Sequence, residues 1–262
     1  MTQRLYSKTF GVLLAILLFV PIARAEVMLD ATVSSDYIFR GINMLDGNTP
    51  VFTPSVTWIA GESGFEVSTW GYFAMTNRAN QWIKDSDEVD GTVSYVRSFR
   101  AWEGRLGLFH LSLPRLDGWP SASTTVNELF FELGRPNWPG MPVVSVSYEL
   151  DKWKDHDTYF QFRLGHEIPI ESQVTLFLGS SVGFWSYGSD SVPNFTGTPY
   201  YWTRRERVTD INFEASTNVP VGGYAVSTKV VMTLSPDKVI NPNQMVVWSS
   251  FTISRAFPGM NR

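Results

Sequence analysis

The sequence predicts an all-β protein, a transmembrane antiparallel up-and-down β-barrel of about 12 strands. Three observations predict it. An export leader opens the chain, the remainder alternates apolar and polar residues in steps of two, and the connections switch between short and long.

In the leader, Arg4 and Lys8 flank the start of the segment and Gly11 to Val20 is an unbroken apolar run. Ala23-Arg24-Ala25 then supplies the small-x-small pattern of a cleavage site. The run is too short for a membrane helix, which needs ~20 apolar residues. Residues 1–25 are therefore read as a signal peptide and residues 26–262 as one outer-membrane barrel domain. The leader holds three basic residues, Arg4, Lys8 and Arg24, and no acid, so its loss moves the net charge from −4 to −7. That acidity argues against a nucleic-acid partner. With no cysteine, a lipid-modified N-terminus, disulfides and thiolate metal sites are excluded.

In the remainder, residues 27–40 place Leu29, Ala31, Val33, Ser35, Tyr37 and Phe39 on one face, against Asp30, Thr32, Ser34, Asp36 and Arg40 on the other, where only Met28 and Ile38 are apolar. Residues 88–99 set Val89, Val93, Tyr95 and Phe99 against Glu88, Asp90, Thr92 and Ser94. The pattern recurs at 143–150, 159–168 and 210–219, and further runs occupy 51–60, 64–74, 102–113, 124–133, 173–184, 224–234 and 245–257. Period-two alternation marks strands with one apolar face. A soluble sandwich turns that face inward, whereas a membrane barrel turns it to lipid and keeps the polar face in the lumen.

The connections favour the barrel. Those at 61–64, 100–101, 134–140, 169–172 and 220–223 are mostly tight, and those at 41–49, 75–86, 114–122, 151–157, 185–206 and 235–244 are mostly longer. Short periplasmic turns and longer outer loops are the barrel arrangement. An even number of strands closes the ring and leaves no unpaired edge in hydrocarbon. Trp58, Trp102 and Trp138 beside the short turns, and Phe39, Phe73 and Tyr159 towards the other side, are candidates for interfacial girdles. The last run ends on the aromatic Phe257, followed by Pro258 to Arg262.

The segment Ser34-Ser35-Asp36-Tyr37-Ile38-Phe39-Arg40-Gly41-Ile42 resembles the "SDYxFRGI" opening of the TorF-type putative porins of Gram-negative bacteria. Asp87-Glu88-Val89-Asp90-Gly91 and Asn127-Glu128-Leu129-Phe130-Phe131 are similar to later pieces of that family. The resemblance implies an outer-membrane barrel and a pore, without naming a solute.

The polar faces supply the lumen. Its acids are Asp30, Asp36, Glu66, Glu88, Asp90, Glu128, Glu132, Glu149, Glu167, Asp210 and Glu214; its bases are Arg40, Arg163 and Lys229, with Arg105 a further candidate. Acidic rings in a narrow passage favour cations. The alternative is a filled lumen, in which these charges pair between strands and leave no path. Asp36 and Arg40, four residues apart on one strand, are ~13 Å from one another and each needs a partner on an adjacent strand.

A second function class is a lipid hydrolase in the same barrel. His110-Leu111-Ser112 puts an H-x-S pair on the lipid face, and Asn127 at the start of the next strand falls beside His110. This Ser-His-Asn arrangement looks like the site of outer-membrane phospholipases, with the imidazole taking the serine proton and the amide orienting it. The surrounding residues do not match those enzymes, so the expectation is a passive channel, not an enzyme, without cofactor or metal. Asp155-His156-Asp157 reads as a solvated loop tip. The basic run Trp202 to Arg207 lies in the longest loop, either in solvent or against lipopolysaccharide phosphates. The expected surroundings are outer-membrane lipids, lipopolysaccharide and small solutes, at the end of export through the periplasm.

Overall fold

The computed structural model describes residues 25–43, 49–75, 88–112, 125–150, 157–171, 173–186, 207–236 and 244–257. The leader at 1–24, His156, residues 202–206 of the basic run and the tail at 258–262 lie outside the described residues. Twelve strands form the wall: β1 (Glu26–Ser34), β4 (Val51–Ile59), β5 (Phe65–Ala74), β6 (Glu88–Phe99), β7 (Trp102–Ser112), β8 (Thr125–Gly134), β9 (Val143–Glu149), β10 (Thr158–Glu171), β11 (Val174–Ser186), β12 (Arg207–Val221), β13 (Tyr224–Leu234) and β14 (Met245–Phe257). Each pairs antiparallel with its chain neighbour, and β1 pairs with both β4 and β14, so the barrel closes. The remaining pair, β2 (Ile38–Phe39) and β3 (Ile42–Asn43), forms a separate hairpin.

The alternation becomes an inverted protein. On β7 and β8 the exposed residues include Leu106, Leu108, Leu129 and Phe131, while Glu128 is buried on the opposite face. Glu88, Asp90, Glu149 and Asp210 are likewise buried, and Phe160 and Phe213 are exposed. A greasy exterior around a polar interior is the membrane-barrel arrangement. The period of two makes this register strict, because a slip of one residue would exchange the two faces along a whole strand.

Turn chemistry explains the tight end. Gly222 and Gly223 carry φ of 54° and 85° between the paired residues Val221 and Tyr224. Two successive positive φ values give the two-residue turn whose twist suits a hairpin. The turn expected at 169–172 is shorter than its sequence suggests. β10 continues through Pro169 to Glu171, and the register shifts between those residues. A bulge there accommodates the proline, which cannot donate to the ladder.

The larger correction concerns the first strand. The run 27–40 leaves the wall after Ser34. Ile38 and Phe39 pair with Asn43 and Ile42 in the hairpin, not with the barrel. Tyr37 and Phe39 therefore do not face lipid: Tyr37 is buried with Ile42 and Val51, and Phe39, Tyr72, Ala74 and Trp185 pack around them. Tyr159, expected in a girdle, is also turned inward and buried. Trp102 and Trp138 remain exposed, as girdle residues are.

Candidate functional site

The hairpin turns at Arg40 and Gly41, with φ of 50° and 81°. The left-handed region costs a non-glycine residue roughly 1–2 kcal/mol, so Arg40 must be held there by its contacts. Its two terminal nitrogens donate to the two carboxylate oxygens of Glu128 at 2.8 and 2.6 Å. Three rings surround its guanidinium carbon, with centroids 4.7 Å away for Phe39, 4.5 Å for Tyr159 and 5.5 Å for Trp185. Burial works against the charge on Arg40, but the Glu128 carboxylate outweighs it and holds the guanidinium above its ordinary pKa. A planar, bidentate, ring-stacked guanidinium has no lysine equivalent.

Gly41 is set against the wall at β12. A Cβ there would lie 2.7 Å from the Thr209 carbonyl oxygen and 2.8 Å from the Asp210 Cβ. The stem is pinned on the other side. The Tyr37 hydroxyl donates to Glu88 Oε1 at 2.9 Å, and its ring stacks on Tyr72 at 3.8 Å between centroids. Asp36 accepts from the Tyr37 backbone N–H at 2.9 Å and from the Asn43 amide at 3.0 Å, closing the hairpin base. The segment thus leaves β1 and reaches β6, β8 and β12, crossing the lumen.

The expected partner arrangement for Arg40 is therefore corrected: it bonds Glu128 on the far side of the ring, not a residue of an adjacent strand. Other pairings do join strands. Arg105 meets Glu66 at 2.9 Å and Arg163 meets Glu132 at 2.8 Å. Asp30 accepts from Ser55 at 2.8 Å. Asp210 accepts from the Tyr159 and Thr209 hydroxyls at 3.0 and 2.9 Å and from the Asn212 amide at 2.7 Å. Glu214 accepts from Ser216 at 3.2 Å. The Lys229 ammonium lies 5.1 Å from the Trp248 ring centroid. Sequence reasoning missed the aromatic half of the site, Tyr37, Tyr72, Tyr159, Trp185 and Trp248. The available signal was the Arg40-Gly41 pair, a glycine preceded by a polar residue.

Among the described residues the lumen holds a chamber of about 580 Å³ and another of about 460 Å³. Arg40, Glu128, Glu132, Arg163, Asp210 and Glu214 line the smaller one. Asp36, Glu167 and Lys229 line the larger one. Ile38 of the hairpin and Trp248 of β14 line both, so the chambers adjoin at these two side chains.

A separate polar pair lies on the outer face. His110 Nδ1 donates to Asn127 Oδ1 at 2.8 Å, across the β7–β8 register. Ser112 follows two residues later on the same strand, although its side chain lies outside the described residues.

No protein-family model matches the chain, and no curated protein matches it in sequence. Solved structures do match its shape. The NanC porin aligns over 88% of this chain and 100% of its own at 10% identity and a TM-score of 0.50. By fold the chain is an outer-membrane β-barrel. The COG4313 outer membrane channel from Pseudomonas putida F1 aligns over 90% of this chain and 96% of its own, at 8% identity and a TM-score of 0.49. Outer membrane phospholipase A from Escherichia coli aligns over 88% of each chain at 14% identity and a TM-score of 0.42.

Proposed function

We propose that this chain is a narrow, passive outer-membrane channel of the TorF type, exported with a cleaved leader, through which small solutes diffuse. The observation that carries the reading is the pair of polar chambers adjoining at the infolded hairpin. The likeness of fold to a porin agrees with it. Arg40, Arg105 and Arg163 are each matched to a carboxylate, so their charge is locally neutralised. Further acids, among them Asp30, Asp210 and Glu214, accept from hydroxyl or amide groups in the lumen rather than from a guanidinium. Such a lining favours cations. In planar bilayers under a potassium chloride gradient, the reversal potential should have the sign of cation selectivity. Anion selectivity would reject the reading of the lining.

The His110–Asn127 bond favours a second reading, a lipid acyl hydrolase on the outer wall. The amide carbonyl fixes the imidazole tautomer and leaves Nε2 as a base, with Ser112 two residues along the same strand. Mixed micelles of phosphatidylcholine test it. The channel reading expects equal background hydrolysis by wild type and Ser112→Ala; a loss of 100-fold or more in the variant, on the scale of a removed nucleophile, would establish the hydrolase.

A further inference from the structure

The larger chamber is lined differently from the smaller one. We propose that it binds an uncharged, polyhydroxylated solute of the saccharide class. The proposal rests on the channel reading and names the solute that such a channel would admit.

Thr53, Thr175, Ser216, Ser227 and Ser250 line the chamber from five different strands, with the Asn218 amide beside them. Hydroxyls and amides both donate and accept, whereas a carboxylate only accepts and an ammonium only donates. A sugar ring presents hydroxyls of undetermined direction around its edge, and a lining able to answer in either sense suits it.

The faces of a sugar ring are apolar C–H surfaces and need a flat partner. Phe177 supplies one. A Cβ at Gly165 would lie 2.6 Å from the Phe177 ring, and a Cβ at Gly179 would lie 2.7 Å from it. The ring therefore lies over two glycines on neighbouring strands, in space that any other residue would occupy. The ring fills that space at the wall, and the residue lines the chamber. Trp248 and Tyr72 add further rings. Trp248 is itself held, its indole N–H donating to Thr233 at 3.3 Å.

Charge disfavours an anionic solute. Among the described residues lining this chamber, the charged side chains are Asp36, Glu167 and Lys229. The three guanidiniums held by Glu66, Glu128 and Glu132 stand outside its lining. An anionic solute would meet one ammonium offset by two carboxylates. A volume of about 580 Å³ lies in the range of small-molecule sites, ~300–1,000 Å³.

The test uses the full processed barrel refolded in detergent, with maltose as the neutral probe and lactobionate as its acidic counterpart. Tryptophan fluorescence reads occupancy without requiring transport, and bilayer conductance is recorded separately. Maltose should quench fluorescence saturably, and Phe177→Ala should weaken its binding at least tenfold. Phe177→Tyr, which keeps the ring, should bind within about twofold of wild type. A linear, non-saturating response to maltose in the wild type overturns the proposal, as does lactobionate binding more tightly than maltose. If the wild type conducts no ions yet binds maltose saturably, the channel reading fails and the site stands. If it conducts but does not bind, the site fails and the channel stands.

Discussion

Arg40→Ala should at least double the single-channel conductance and make the open current noisier. The side chain supplies two charge-assisted bonds to Glu128 and a cation for three rings. The side chains of Arg40 and Glu128 are only 12% and 8% exposed. At that depth, removing one member of a pair costs about 3–5 kcal/mol, because the other charge is left buried without compensation. The pair itself is worth far less than that, since burying both ions and placing Arg40 at positive φ offset much of the attraction. The truncation is therefore the informative change. Without the guanidinium the hairpin loses its hold on β8, and movement of the hairpin away from Glu128 widens the lumen. The measurement is conductance in planar bilayers at fixed salt. Unchanged conductance and unchanged noise would mean that the hairpin does not limit the passage.

Gly41→Val should reach the same open state by a different cause. Here no charge is lost. A Cβ at this position meets backbone and Cβ atoms of β12 at 2.7 and 2.8 Å, and Asp210 is held in the wall by its pairing with Gly183 of β11, one residue from the start of the β12–β13 ladder at Ile211. The φ of 81° is a further penalty for a β-branched residue. The turn must lift away from Thr209, taking Arg40 with it. Conductance should rise as in Arg40→Ala, and the double variant should match either single one, since both undo one docked hairpin. Gly222→Ala is the control. It also has positive φ, 54°, but a Cβ there meets nothing within 4 Å, and its turn lies far from the hairpin. Its conductance should equal that of the wild type. An additive double variant would place Arg40 and Gly41 in separate devices.

Much of the wall was legible from residue order alone. Leu106, Leu108, Leu129 and Phe131 had to share one face, and Glu128 and Glu132 the other, because a strand reverses its side chains at every step. Gly222-Gly223 marked a reversal for an equally local reason. The number of strands followed from counting such runs, and the evenness of that number agreed with closure. Even the candidate lumen residues could be named this way, since facing inward needs no knowledge of any partner.

The hairpin could not be read in the same manner. Tyr37 and Phe39 against Asp36 and Arg40 resume the alternation of β1 after Ser34-Ser35-Asp36, so the local sign of the departure at Ser34 is a single polar residue, Ser35, on the apolar face. What draws the segment inward is Glu128, 88 residues away, together with Glu88, Tyr159, Trp185 and the Thr209 carbonyl. These groups come within reach of one another only when the ring has closed. Side-chain direction along a strand is set by neighbouring φ and ψ angles and is therefore carried by the order of residues. The place where Arg40 finds its carboxylate depends on the diameter and register of the assembled barrel, which no stretch of chain contains.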